Sequence, residues 1–376
     1  MAGIYLHIPF CKQACHYCDF HFSTSLKKKD ELLEALHKEL KLRREELPNE
    51  PVETIYFGGG TPSVLSVGEI DHLIRTVHDN YSVIENPEVT LEANPDDLSK
   101  SYIKELSASQ VNRLSIGIQS FFDSDLKLMN RAHSAKEASS CLDDARHYFD
   151  NISIDLIYGI PYATDAQWQA NIDKALSYDL PHISSYALTV EPKTALASFI
   201  KNGKVPDIDE TRSEAQFYLL IDALENANYH HYEVSNFGKE GYFSKNNSAY
   251  WRGKSYLGIG PSAHSFNGKQ RSWNISNNSK YINALKTNNL PSDIEHLSQT
   301  DRYNEFVMTG LRTIWGVSMG QIQSEFGTDF KKYLLDQADL YIKEQLLYIE
   351  DDKLKVTKKG KFLSDGIASK LFKLNS

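Results

Sequence analysis

Cysteine is scarce in this chain, with 4 residues in 376. A secreted disulfide framework would spread its cysteines along the chain, and this one does not. Long apolar runs are also lacking. No stretch of about 18 consecutive apolar residues occurs, which excludes a membrane-spanning helix. The N-terminal Met1-Ala2-Gly3-Ile4-Tyr5 has neither the basic start nor the long apolar stretch of a signal peptide, so a cytoplasmic location is expected. Positive charge is in short supply: 41 Lys and Arg face 50 Asp and Glu, for a net charge of −9. The one basic run is Lys27-Lys28-Lys29, so no nucleic-acid partner is expected. Hydrophobic residues are not lacking. At 41% they suffice for a large core and exclude global disorder. The length predicts two or three domains, or one large α/β domain with an appendage.

The few cysteines are informatively placed. Cys11, Cys15 and Cys18 form a CxxxCxxC cluster, and Cys141 stands alone. Neighbours this close pair poorly in disulfides, so the cluster calls for a metal explanation. Three thiolates on one loop can hold three irons of a 4Fe–4S cluster and leave the fourth iron open. The rival is zinc, which wants four ligands and would have to recruit His7, His16 or His21. Zinc sites more often use two separated cysteine pairs, so the iron–sulfur reading is favoured.

Short β-rich apolar runs recur at 4–8, 54–57, 89–92, 113–118, 152–157 and 183–189. Helical periodicity fills the intervals at 30–46, 67–81, 99–107, 135–148, 165–178 and 210–227. Such alternation predicts βα units on a parallel sheet. Six units fall two short of a closed eightfold barrel, so the fold class is α/β, an open partial (β/α)6 barrel over residues 1–228. Chemistry in such folds sits where strands end and loops begin. Residues 229–295 are dense in Tyr, Asn, Ser and Gly and read as an irregular or short β segment packed beside the barrel. Residues 296–376 read as helices followed by a hairpin, a small winged-helix-like α+β domain. Its recognition stretch is not basic, which favours a packing module over a DNA reader.

Tyr5-Leu6-His7-Ile8-Pro9-Phe10-Cys11, continued by Cys15, Tyr17 and Cys18, resembles the start of radical S-adenosylmethionine (SAM) enzymes. The similarity is greatest to the branch that contains oxygen-independent coproporphyrinogen III dehydrogenase (HemN) and the heme chaperones (HemW), and it runs through nearly the whole chain. The remaining motifs fall at predicted strand ends. The resemblance implies a 4Fe–4S cluster on Cys11, Cys15 and Cys18, and SAM contacts from Tyr5, Gly59, Gly60, Thr61, Glu92, Gln119, Arg131 and Asp155. The glycines would let backbone approach the ligand. The Arg131 fork would match the SAM carboxylate, and Asp155 would meet ribose hydroxyls. The implied chemistry is one-electron cleavage of SAM to a 5′-deoxyadenosyl radical, carried by the cofactor.

Two departures separate this chain from the porphyrinogen enzyme. The position two residues after the third cysteine is Phe20, where that enzyme carries a further cysteine, and only ten residues precede Cys11. Both point to the heme-chaperone side, whose members bind heme, pass it to acceptor proteins with a role at the membrane face, and form homodimers. No residue is assigned a catalytic role, and coproporphyrinogen oxidation is not expected. An HNxxYW motif associated with heme binding is matched by Asn246-Asn247-Ser248-Ala249-Tyr250-Trp251. The motif's His is Asn246 here, and an amide is a poor iron ligand beside imidazole. The heme candidates are therefore Asn247, Tyr250 and Trp251 for the ring, and His264 as the first choice of ligand. His230 and His231 stand behind it. The alternative is oxidative decarboxylation of coproporphyrinogen III, with Arg113, Arg252 and Arg271 available for the propionates. A third class is a zinc-stabilised binding module.

Overall fold

The computed structural model describes residues 1–47 and 50–374. Six strands, β1 (Ala2–Ile8), β2 (Val52–Gly59), β3 (Val83–Ala93), β4 (Arg113–Gln119), β5 (Ile152–Tyr158) and β6 (His182–Ala187), lie side by side in chain order, each parallel to the next. Helices Lys29–Leu42, Val67–Asn80, Lys100–Leu106, Ala135–Ala145 and Asp165–Ser177 fall in the intervals between them. Several start where a serine or threonine caps a free backbone N–H. Ser66 and Ser134 each form a reciprocal capping box with the glutamate three residues on. The partial (β/α)6 architecture predicted from the alternation is the one observed.

The two faces of this sheet differ in kind. Ile4, Leu6 and Ile8, with Ile55, Phe57, Leu91 and Leu114, are buried in one continuous apolar core that also takes in Leu32, Leu36, Ile70 and Ile74 of the helices. The alternate positions face inward and are largely polar: Tyr5 and His7, Tyr56, Thr90 and Glu92, Arg113 and Ser115, Ser153 and Asp155, Ser184. Strand register aligns them into rungs. Tyr5 pairs with Tyr56, Tyr56 with Thr90, and Thr90 with Arg113, while Glu92 pairs with Ser115 and Asp155 with Ser184. Buried polar groups cost free energy unless they are partnered. A barrel lined in this way is built around polar ligands.

The segment 229–295, expected as an irregular or short β segment packed beside the barrel, contributes strands to the sheet itself at both of its edges. β7 (His230–Glu233) and β8 (Asn236–Gly238) add antiparallel beyond β6. After the helix Lys245–Trp251, β9 (Tyr256–Ile259) crosses to the other edge and pairs parallel with β1. β10 (His264–Phe266), β11 (Gln270–Asn274) and β12 (Ser292–His296) extend that edge antiparallel, for twelve strands in all. The C-terminal unit has its own core around Tyr303, Val307, Ile322 and Leu334. Helices Gln299–Leu311, Met319–Phe326 and Thr328–Lys343 precede the hairpin of β14 (Leu347–Glu350) and β15 (Lys353–Val356), with β13 (Val317–Ser318) pairing alongside β15. Helices followed by a hairpin match the winged-helix-like expectation. Among the described residues, no helix is long and apolar enough to cross a membrane.

Candidate functional site

The loop after β1 carries the three cysteines, and backbone fixes its shape. The Cys11 N–H donates to Ser23 O at 3.1 Å, and the His16 N–H to Met129 O at 3.0 Å. Asn130 Nδ2 donates to Ala14 O at 2.7 Å, so the loop is stitched to the turn after the short helix Asp123–Leu128 that follows β4. All three thiols are half-buried and free. Burial, reinforced by the neighbouring cysteines, pushes the Cys18 thiol up to about 11. Burial raises the Cys11 thiol as well, so a cationic group beside the loop would be needed to hold these sulfurs as thiolates. Of the histidines zinc would have to recruit, His7 has both ring nitrogens engaged, Nδ1 with Tyr5 OH, while His16 and His21 each have one engaged. His16 Nδ1 donates to Leu128 O at 2.9 Å, His21 Nε2 lies 2.7 Å from Asn278 Oδ1, and His7 Nε2 donates to His21 O at 3.2 Å. Among the described residues, no trio of His, Cys, Asp and Glu closes on one ion-sized point. Three sulfurs spread on one loop fit the separate irons of a cluster better than a single zinc.

The other strand ends reach the same place. Behind β2, the Gly60 N–H donates to Ile8 O at 3.0 Å and the Thr61 N–H to Phe10 O. A Cβ on Gly60 would stand 2.6 Å from Phe10 O, backbone that cannot yield, so the approach of the two loops depends on that glycine. Thr61 Oγ1 then points at Cys11 Sγ, 3.4 Å away. Arg131 reaches Cys15 Sγ at 3.4 Å through Nη1, and Gly117 O at 3.0 Å and Asn94 Oδ1 at 2.5 Å through Nη2. Asn94 closes the circuit by donating to Thr61 Oγ1 at 3.1 Å. The sequence reading missed Asn94; its position two residues beyond Glu92 was the only available signal. Gln119 ends β4 with φ 64°, a left-handed conformation that breaks the strand at this rim.

Deeper in the barrel, Glu92 accepts from Tyr56 OH at 2.7 Å and from the Gly59 N–H at 3.3 Å. Asp155 accepts from Ser115 Oγ at 3.4 Å. Burial raises both carboxyls, Glu92 to about 7 and Asp155 to about 6; the Asp155 charge raises Glu92 further, and the fully buried Arg113 pulls both back down. Arg113 Nε has no hydrogen-bond partner. Its place on the inner rung makes it the counter-charge of the barrel floor rather than an exposed grip for substrate. Both carboxyls hold their protons more tightly in the folded than in the unfolded chain. Their contribution to stability is therefore full below the unfolded value of about 4 and is lost as pH rises through the folded values near 6 and 7. Glu92→Gln keeps an acceptor for Tyr56 and removes the charge. In the ligand-free chain it is expected to flatten the fall in melting temperature between about pH 5 and pH 8. A variant that loses stability with pH as steeply as the parent contradicts this.

The heme candidates do not gather in one place. A cavity of about 570 Å³ beside β1 is lined by Tyr5, His7, His21, Asn246, Tyr250 and His264. Trp251 lies instead on a second cavity, toward the C-terminal unit, which Tyr250 also lines. Asn247 lines neither; its N–H is spent on the Ser244 cap at 3.3 Å. His230 is exposed against Phe243, and buried His231 faces Val234 O and Lys361, so neither reaches the cavity. His264 stands at the cavity rim, and burial lowers its pKa, which keeps a nitrogen lone pair free. Its loop is held from behind by a buried ion pair that the sequence did not reveal. Glu39 accepts from Arg43 Nη1 at 3.0 Å, the Gly260 N–H at 2.8 Å and Asn274 Nδ2 at 2.7 Å, and also from Tyr281 OH. Arg43 in turn donates to Gly258 O and Ser265 Oγ. With every oxygen and N–H answered, the pair can stay buried and charged.

Comparison with known proteins gives this geometry a family. A family model described as Radical SAM superfamily matches residues 5–175, and one described as HemN C-terminal domain matches residues 297–363. The heme chaperone HemW of Bacillus subtilis (strain 168) is 33% identical over 98% of this chain and 98% of its own length. This chain belongs to the HemW family. HemW of Lactococcus lactis subsp. lactis (strain IL1403) is also 33% identical, over 97% of this chain and 96% of its own. Among solved structures, coproporphyrinogen III oxidase (HemN) from Escherichia coli aligns with a TM-score of 0.86, covering 99% of this chain and 90% of that one at 23% identity. At that identity the likeness speaks to fold alone. HemW membership and a HemN-type fold, partial barrel with C-terminal unit, therefore coexist in this chain.

Proposed function

We propose that this chain is a HemW-type heme chaperone of the cytoplasm that takes up heme and hands it to acceptor proteins. The observation that carries the reading is the cavity beside β1. There the motif position Asn246, the motif ring Tyr250 and the imidazole of His264 face one space, next to the cysteine loop. In this reading Cys11, Cys15 and Cys18 hold a 4Fe–4S cluster. Tyr5, Gly59, Gly60, Thr61, Glu92, Gln119, Arg131 and Asp155 hold SAM. The cluster, when bound, supplies a single electron. The chain's own residues orient and exclude: Arg131 fixes the rim between Cys15 and Asn94, Glu92 and Asp155 offer acceptors to hydroxyls or an ammonium, and His264 presents its free nitrogen to iron. Residues 1–228 form the barrel unit, 229–295 the strands that widen it around the heme cavity, and 296–376 the winged-helix-like unit. Acceptors at the membrane face and a homodimer belong to the same proposal.

The test is a heme titration of the anaerobically reconstituted full chain, read as Soret absorbance through gel filtration. A saturable band that co-elutes near one heme per chain is expected. Heme that separates from the protein on the column, or anaerobic turnover of coproporphyrinogen III to protoporphyrinogen, would replace this reading with the oxidase one. Two of the three arginines named for that alternative are poorly placed for it. Arg113 is buried in the barrel floor, and Arg271 is paired with Glu305 at 2.6 Å.

A further inference from the structure

The second cavity, about 660 Å³, lies between the helix Lys245–Trp251 and the C-terminal unit. Apart from the motif rings, Tyr250, which lines both cavities, and Trp251, no residue of the chaperone reading faces it. Its size is that of a small-molecule site. Its walls combine flat rings with guanidiniums. The Arg252 guanidinium lies 4.0 Å from the Trp315 ring centre, that of Arg312 4.9 Å from Trp251, and that of Arg302 6.0 Å from Phe326.

Charge balance separates these arginines. Arg312 is answered by Glu233 at 3.1 Å and Asp365 at 2.6 Å, and Arg271 by Glu305. Among the described residues, Arg252 and Arg302 have no carboxylate within 4.0 Å. Arg312 Nε, on the same wall, lacks a hydrogen-bond partner. Two unanswered guanidiniums fit two carboxylates, and aromatic faces between them fit a flat conjugated ring. No histidine or cysteine lines this cavity, so it has no imidazole or thiolate to offer a metal. Tyr250, Tyr256 and Arg271 line both cavities, which therefore adjoin.

We propose that this groove is a second tetrapyrrole site, one that binds a planar aromatic dicarboxylate through Arg252, Arg302 and the ring faces, with no need for iron. The identity of the ligand rests on the heme-chaperone reading; the selectivity for carboxylates over metal does not.

The probe is metal-free protoporphyrin IX, titrated into the full chain and read by quenching of tryptophan fluorescence, with its dimethyl ester titrated in parallel. Saturable binding of the free acid is expected, with the diester at least about tenfold weaker because the charge-assisted bonds are gone. Arg302→Gln and Arg252→Gln should each weaken the free acid by about tenfold with the far-ultraviolet circular dichroism unchanged. Arg302→Gln spares the Arg252–Trp315 stack, so the proposal stays testable if the other variant folds poorly. Equal affinity for acid and diester, or parental affinity in Arg302→Gln, overturns it. A chain that shifts the heme Soret band yet ignores metal-free protoporphyrin also overturns it and leaves the chaperone reading intact. Protoporphyrin bound through the two arginines without any heme Soret shift supports the groove and removes the iron-ligating cavity.

Discussion

A Cys15→Ala chain, reconstituted anaerobically with iron and sulfide, is expected to lose its iron–sulfur absorption and to retain at least about tenfold less iron than the parent. Two thiolates can anchor only two irons of a cubane, and the nearby imidazoles are held in place by other bonds. His16 is bound to Leu128 O and His21 to Asn278. The loss should spread beyond the loop. Arg131 rests against Cys15 Sγ and also grips Asn94 and Gly117, so removing the sulfur unseats one corner of the rim that Thr61 and Asn94 share. The matching control is Cys141→Ala. Cys141 is buried in the helix Ala135–Ala145, and burial pushes its thiol up to about 12, the mark of an inert core cysteine. Its removal should leave the iron content unchanged. Equal iron in Cys15→Ala and the parent would contradict the cluster assignment. Iron absent and zinc present in the anaerobically purified parent would restore the zinc-stabilised module.

The first six strands were readable because each is a short β-branched run set between amphipathic helices, and the structure extends most of them by only one or two residues. Two strands are exceptions: β3 begins six residues before the predicted run, at Val83, and the run to Thr189 overshoots, because β6 ends at Ala187. Before the βα pattern gives out, the face of each residue was also implicit, since Tyr5 and His7 alternate with Ile4, Leu6 and Ile8. Rungs were not implicit. That Arg113 sits beside Thr90, on the floor under Glu92 and Asp155, follows from register between strands, which a single sequence does not carry. The fate of 229–295 was hidden for a related reason. β9 is four residues long and pairs with β1, more than 250 residues upstream by numbering from Gly3 to Tyr256, so no local pattern announces it. The buried Glu39–Arg43 pair was masked as well. On a helix with exposed charges at most polar positions, spacing of four reads as a surface pair, yet here it anchors the loop of His264 through Gly258, Gly260 and Ser265.

His264→Ala is expected to weaken heme binding by at least about tenfold and to shift or bleach the Soret band of what remains, because ligation of iron by imidazole is the strongest single contact available in that cavity. Truncation alone could be mistaken for a packing defect, and the motif position offers the decisive complement. Asn246 lines the same cavity from the helix Lys245–Trp251. Its Oδ1 accepts from Thr54 Oγ1 at 3.1 Å and lies over Gly3, where a Cβ would come within 3.4 Å of it. A histidine placed there would enter the space His264 enters, from the helix Lys245–Trp251 rather than from the edge of β10. Asn246→His in the His264→Ala background should therefore restore most of the lost affinity, with a Soret position of its own. Restoration would mean that one cavity accepts the ligand from either element, and that the missing motif histidine is replaced from elsewhere on the cavity lining rather than lost. Parental heme binding in His264→Ala sinks the assignment of the ligand. A double variant no better than His264→Ala sinks the idea that the motif and His264 serve one iron.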